Sequence, residues 1–407
     1  MNSKKIGIVT TWFERGAAYV SKQYKEIWEK ENDVFIYVRG GEDVATNNPN
    51  WDSNNLTFGK RYNYTKLDLI DLKHFECWIK DNNLDIVFFN EQHIWDPILL
   101  CNKLGVLIGS YIDYYTDETV VLFGVFDFLI CNTQRHYSVF KWHPQAFYIP
   151  WGTDMSIFNE TQMKAVELNK IVFFHSAGMN PYRKGTDFLI RAFSNLNYKN
   201  SKLIIHTQTD LNSFFPENKK IINELKEQGQ LEIINETVTS PGLYYKGDVY
   251  VYPTRLEGIG LSIAEANACG MPVVTTNEPP MNEFIANGVN GHLIDVSSRK
   301  KRRDGYYWDE SYVDVFHLQN ILEEYCQNIQ KLNKRKNQAL TYSKNHLNWH
   351  NNSNDLIEII KSVSVIKDKK DFIKKILAYK KSKGFKFYVA NTIIYQKVKK
   401  SIINHFK

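Results

Sequence analysis

Along this chain short apolar runs, stopped by glycine, proline or polar residues, alternate with longer stretches whose apolar residues recur three and four apart. The short runs predict strands at Lys5–Thr11, Asp33–Val38, Asp85–Asn90, Val106–Tyr111, Phe126–Asn132 and Ala146–Asp154. A second series follows at Lys170–His175, Ser201–Thr207, Leu231–Asn235, from Val249 to Pro253, at the PVVTT run ending at Thr276, and at Gly288–Val296. Helical spacing lies between them, at Tyr19–Lys30, Leu67–Lys80 and Thr186–Leu196, whereas Gly40–Asn55 is a polar loop without strand character. Strand alternating with helix is the mark of parallel sheets covered on both faces. The polar stretch Glu160–Asn169 separates the two series, so the pattern predicts an α/β chain of two doubly wound domains, 1–160 and 161–350, followed by a tail, 351–407.

The densest information lies between Val249 and Thr276, VYVYPTRLEGIGLSIAEANACGMPVVTT, which reads as strand, glycine loop, helix, strand. The helix opens near Gly260–Ser262 and stops at Gly270, with Pro272 beyond. Its free N–H groups face the carboxyl edge of the sheet and favour an anion, and Gly258 and Gly260 let a phosphate approach the backbone. Glu257 and Glu265 frame that corner. Carboxylates repel phosphate but accept from vicinal hydroxyls, as on a sugar or ribose, so the pair of needs fits a nucleotide sugar. Taken singly, Glu257 also reads as a solvated loop carboxylate, and Glu265 as a partner of the dipole in or near the first helical turn.

A second cationic corner follows the strand Lys170–His175. The loop Ser176–Gly185 carries Arg183 and Lys184 ahead of a helix N-terminus, where a diphosphate would be clamped or where a charged loop would meet water. At the first strand's end, Gly16-Ala17 sits in a small-residue loop before a helix, as a ligand-facing turn or a plain tight one. Asp113 ends the strand Val106–Tyr111, at a ligand-facing edge or as a cap for the next helix. His93 follows the strand Asp85–Asn90 and reads first as a surface or capping residue.

PTRLEGIGLSIAEA resembles the E-x7-E signature of the family 4 retaining glycosyltransferases, which have the two-domain GT-B fold with the domains facing across a cleft. The resemblance implies transfer of a sugar from a nucleotide diphosphate donor with retention of configuration. It also implies roles: Glu257 on sugar hydroxyls, backbone amides of Gly258, Ile259, Gly260 and Leu261 on sugar or phosphate, Glu265 on ribose, and Lys184 on the departing diphosphate. Gly16-Ala17 is similar to the family's Gly-Gly pair at donor phosphate and acceptor. The chain departs from the family twice. Met179 stands where an arginine is usual, leaving Arg183 as the neighbouring cation, and Ile112-Asp113 stands where His-Asp is common, leaving Asp113 as the polar group at that edge. Trp349 and the apolar helix after it resemble the family's closing segment, which crosses back to the first domain.

Composition and motif content change this picture in four places. The cysteines are five, scattered and without C-x-x-C spacing, which reads as reduced thiols in a cytoplasm. The chain enters a strand too early for a secretory signal, and no apolar run is long enough to span a bilayer; Val120–Ile130 is interrupted by Asp127. The aromatic share of 14% fits sugar stacking or, more commonly, core packing. No D-x-D or histidine–cysteine cluster is present, so no metal or other cofactor is expected.

Charge is concentrated at the end. Thirteen lysines oppose two aspartates from Val365 to Lys407, more positive charge than the whole chain's net +6. Apolar residues from Phe372 to Phe406 alternate with these lysines, the composition of a basic amphipathic helix pair that docks on an anionic membrane or caps the protein. A compact basic loop, Arg299–Arg303, precedes Tyr306-Tyr307-Trp308; a lipid headgroup or acceptor diphosphate suits it better than nucleic acid, for which no module is present. The expected partners are thus a nucleotide-sugar donor, a glycan acceptor, lipid-linked as in bacterial surface-polysaccharide or lipopolysaccharide assembly, and the inner face of the cytoplasmic membrane. A nucleotide-sugar epimerase or hydrolase of the same fold, or an inactive sugar-nucleotide binding module, would share these motifs; only turnover with and without acceptor separates them.

Overall fold

The structure, a computed structural model, describes residues 3–39, 45–60 and 69–390. It divides into two compact units, one of Met1–Asn132, His136–Ile149 and the chain from Ser353 on, the other of Thr133–Arg135 and Pro150–Asn352. The second unit begins earlier than the expected boundary at 160. The supposed linker Glu160–Asn169 belongs to it, held by the fully buried Lys336, which donates to the Lys164 carbonyl at 2.7 Å and to Asp248 at 3.1 Å.

Among the described residues the first unit has seven strands, β1 (Lys5–Thr10), β2 (Asp33–Val38), β3 (Leu56–Phe58), β4 (Ile86–Phe89), β5 (Leu107–Tyr111), β6 (Phe128–Cys131) and β7 (Ala146–Tyr148). Their order is β3-β2-β1-β4-β5-β6-β7, and every pairing is parallel. The order reverses between β1 and β4, so the loops after these two strands border the switch point where doubly wound sheets bind ligands. The aromatic content is largely core: Tyr24, Trp28, Trp51, Phe75, Phe88, Phe89 and Phe126 are fully buried. Helix Gly16–Trp28 starts before the expected Tyr19, and the helix expected over 67–80 runs Leu72–Asp81, capped by Asp71, whose side chain accepts from His74 N at 3.0 Å. Residues 67–68 and 40–44 of the expected helix and loop lie outside the described residues.

The second unit repeats the plan with β8 (Ile171–Gly178), β9 (Ser201–Thr207), β10 (Leu231–Asn235), β11 (Val249–Tyr252), β12 (Val273–Thr276) and β13 (Gly291–Ile294). All pairings are parallel and the order is β10-β9-β8-β11-β12-β13, with the reversal between β8 and β11. Both units are therefore doubly wound α/β domains, as the alternation of runs predicts. The expected basic loop at Arg299–Arg303 is a correction. Arg299 and Lys300 end β14 (Val296–Lys300), paired antiparallel with β15 (Glu310–Val313), and only Lys301–Arg303 form the loop; Arg299 pairs with Glu278, Lys300 lies over the Tyr312 ring at 4.4 Å, and Arg302 pairs with Asp304.

The described part of the tail takes the packed alternative. Residues Leu356–Ser362 form a helix of the first unit, as expected of the segment after Trp349, and Lys370–Ala390 is a further helix; the rest of the expected pair, 391–407, lies outside the described residues. Asp127, almost wholly buried, accepts from Ile366 N at 2.8 Å and pairs with Lys369 at 2.6 Å. Phe372 fills the notch at Gly124, where a Cβ would lie 2.3 Å from its ring, and Ile376 is fully buried. Lys380 pairs with Asp96, and Lys383 with Glu118 at 2.6 Å.

Candidate functional site

In the second unit the two loops at the switch point are Met179–Gly185, after β8, and Pro253–Gly260, after β11. They are stitched at the backbone: the Arg183 carbonyl accepts from Arg255 N at 2.8 Å and from the Thr254 hydroxyl at 3.0 Å. Gly185 makes this approach feasible. Its φ is +71°, and a Cβ there would sit 1.9 Å from the Pro253 carbonyl oxygen, a distance only glycine avoids.

The stitching brings Arg183, Lys184 and Glu257 together. Glu257, only 6% exposed, accepts at Oε1 from Lys184 Nζ, the Tyr252 hydroxyl and the Thr254 hydroxyl, each at 2.8 Å, and at Oε2 from Arg183 Nη1 at 3.1 Å. Burial alone would raise its carboxyl, but Arg183 and Lys184 outweigh burial and hold it down at about 2. Lys184 also donates to the Tyr252 hydroxyl; burial and the neighbouring Arg183 charge bring its ammonium down to about 8 against the pull of Glu257. Oε1 takes three donors and Oε2 one, so a sugar hydroxyl reaching Glu257 meets least competition at Oε2. Arg183, its side chain 34% exposed, is the most accessible of the charged pair.

Gly258, Ile259, Gly260 and Leu261 follow. Gly260 is left-handed, φ +96°, and precedes the helix Leu261–Ala268. A Cβ on Gly258 would meet nothing within 4 Å, so packing does not require glycine there and open space borders its backbone. Glu265 is the fifth residue of that helix, near the first turn as expected but just past it, so dipole pairing does not explain it. It accepts from the Tyr244 hydroxyl at 2.6 Å, and burial pushes its carboxyl up to about 6 despite that bond and the Lys184 charge. It is therefore mostly ionised at neutral pH and loses its charge as pH falls through about 6.

Sequence reading missed Tyr252, Thr254 and Tyr244, the hydroxyls that orient the two glutamates. Tyr252 and Tyr244 sit among apolar residues and look like core; Thr254 is read only once the loop is folded. It also missed His175, fully buried beneath the loops, which contacts the Val251 carbonyl at 2.7 Å and the Thr186 hydroxyl at 2.8 Å and is kept neutral by burial, its pKa near 4.

The other two candidates belong to the first unit. Gly16 is exposed and is the first residue of a helix without an acidic residue in its first turn. Asp113 follows β5; burial, reinforced by the Glu91 charge, raises its carboxyl well above the usual range, with Arg39 opposing. It does not cap the next helical turn, Val120–Val125, which starts from Thr119. His93 contacts Tyr114 edge-on at 5.1 Å.

Residues 158–304, which hold the cluster, match the family model described as glycosyl transferases group 1. Among curated proteins, a probable sucrose-phosphate synthase of Thermosipho melanesiensis is 25% identical over 233 residues, 51% of this chain and 55% of that protein. The chain spans about half or less of the length of the curated relatives it matches. Two solved structures share the fold. A glycosyltransferase from Rickettsia africae superposes with a TM-score of 0.70 at 16% identity, covering 89% of this chain and all (100%) of that one. The Anabaena protein HepE, in complex with UDP and glucose, gives 0.67 at 15% identity over 89% and 100% of the two chains. The family match covers residues 158–304 alone, and the structural likenesses place both units in the GT-B fold.

Proposed function

We propose that the chain transfers a sugar, with retention of configuration, from a nucleotide diphosphate donor to a glycan acceptor. The observation that supports this most is the Arg183–Lys184–Glu257 cluster, set at the switch point beside the glycine loop 258–260. The bond from the anomeric carbon to the diphosphate breaks, and the acceptor hydroxyl oxygen bonds to that carbon on the same face while its proton passes to an oxygen of the departing diphosphate. Lys184 and Arg183 meet the negative charge gathering on the departing diphosphate, assisted by the amides of Gly258–Leu261. Arg183 turns from Glu257 toward phosphate, freeing Oε2 for a sugar hydroxyl, and Glu265 receives the ribose hydroxyls. On this reading the two cations replace a metal ion. The family resemblance assigns Gly16 to donor phosphate and Asp113 to the acceptor.

The test is stereochemical. With a donor and acceptor sugars in EDTA, the anomeric proton coupling in the product should match that of the donor. A product of inverted configuration, free sugar formed equally with and without acceptor, or turnover restored only by magnesium or manganese, would each contradict the proposal.

The acceptor we assign is lipid-linked, as in surface-polysaccharide assembly, reached from an anionic cytoplasmic leaflet. Packing changes which lysines can serve. Lys380 and Lys383 are paired with Asp96 and Glu118 across the packed face, whereas Lys374, Lys375 and Lys381 are exposed, Lys374 pairing only with the exposed Asp371 at 3.6 Å and Lys375 lying over the Phe372 ring at 5.6 Å. Each lysine near such a surface adds about 1 kcal/mol. Full-length protein should float with anionic liposomes, less at high salt, and Glu substitutions at these three lysines should reduce flotation strongly. Truncation at Val363 is a poor control, since it strips Lys369 and Phe372 from the first unit's core. Binding indifferent to lipid charge, or unchanged by the three substitutions, would leave the helix as a packed cap.

A further inference from the structure

One buried cation near the cluster has no access to any ligand. Arg255 lies two positions before Glu257 and is 2% exposed. Its Nη1 and Nη2 meet Asp187 Oδ1 and Oδ2, both at 2.8 Å, and Nη1 also donates to the Tyr182 carbonyl. The guanidinium lies against the rings of Tyr182 and Phe188, each at 3.9 Å, and of Tyr312 at 4.9 Å. Its backbone joins the same pieces. The N–H donates to the Arg183 carbonyl, and the carbonyl accepts from Ser311 N, both at 2.8 Å. The hydroxyls of Tyr182 and Tyr312 meet above it at 2.7 Å.

These contacts flank Arg183, Lys184 and Gly185 on both sides: Tyr182 lies before them, Asp187 and Phe188 after. We propose that Arg255 is a positioning residue, which through Tyr182 and Asp187 fixes the Arg183–Lys184 loop against Glu257 so that the cations stand ready for a diphosphate. The inference rests on the donor-site reading given above. A planar fork serves both carboxylate oxygens and a carbonyl at once while its faces stack; an ammonium supplies a point charge without that geometry. Arg255→Lys therefore should not rescue the function, although charge and most of the packing are kept.

The experiment uses the full chain with lysines labelled at the ε-carbon with ¹³C, the Lys184 signal being assigned by its loss in Lys184→Arg. Wild type should titrate near the depressed value of about 8. In Arg255→Lys and in Asp187→Asn the loop loosens, so the Lys184 midpoint should rise by at least about one unit toward that of an ordinary lysine. The affinity for inorganic pyrophosphate, measured by calorimetry, should fall about tenfold. A folded Arg255→Lys protein, or Asp187→Asn protein if the former does not fold, with an unmoved Lys184 midpoint and unaltered pyrophosphate affinity would overturn the proposal, even if it melted earlier, because Arg255 would then be only structural. Absence of pyrophosphate binding in wild type would count against the donor reading instead, and the Lys184 midpoint alone would then decide the positioning role.

Discussion

Lys184→Ala is expected to lower turnover about 10²- to 10³-fold while weakening donor binding much less, the usual loss when one preorganised group facing developing charge is removed. The Lys184 ammonium is withdrawn from water and pinned by Glu257 and the Tyr252 hydroxyl, so it needs little reorganisation when charge gathers on a diphosphate. The same burial makes it titratable. With its pKa near 8, the free enzyme holds the required proton below that pH and loses it above, so kcat/KM should fall as pH rises through about 8. That alkaline limb should vanish in Lys184→Ala. Steady-state kinetics over pH checks both statements, and a variant with lower affinity but full maximal rate would remove Lys184 from the chemistry.

Gly185→Ala should produce the largest loss of stability among single-methyl additions at these loops, about 3 kcal/mol, with a melting temperature lower by roughly 6–12 °C. Two costs add. A left-handed alanine costs about 1–2 kcal/mol, and the added methyl would lie 1.9 Å from the Pro253 carbonyl oxygen, which forces the two loops apart. Gly178 is the internal control: its φ is +55° but no atom lies within 4 Å of its Cβ position, so Gly178→Ala should cost only the first amount. Equal melting temperatures for the two variants would show that the loop–loop contact does not constrain the fold.

How much of this was legible in the sequence depends on whether the information is local. Strand ends at Val38, Thr207 and Asn235 are read at their observed positions because a change from apolar to polar marks where a buried strand leaves the sheet. Helix Asp96–Leu104 is hidden because Pro97 looks like a breaker, although at the first helical turn its missing N–H costs nothing. Helix Lys219–Glu227 escapes because only Ile222 and Leu225 are buried in an otherwise polar run. At the site, the strand–loop–helix order marks Lys184 and Glu257 independently. That they bond each other follows from β8 and β11 being neighbours, which no local pattern records. The tail shows the same limit: its lysines read as a solvated or membrane-facing set, yet Lys369 is buried on Asp127, a pairing across more than half the chain.

The central claim is that the β8 and β11 loops hold a nucleotide-sugar diphosphate. Calorimetric titration in EDTA at neutral pH, with uridine, guanosine and adenosine diphosphate sugars against wild type and Glu265→Ala, tests it most directly. The account predicts saturable binding of at least one of them to wild type. It also predicts weaker binding to the variant by about 2–3 kcal/mol, the worth of a charge-assisted pair to ribose hydroxyls, and weaker binding to wild type as pH falls through about 6, where Glu265 takes up its proton. Failure of every donor to bind, or equal affinity in a folded Glu265→Ala protein, would contradict it.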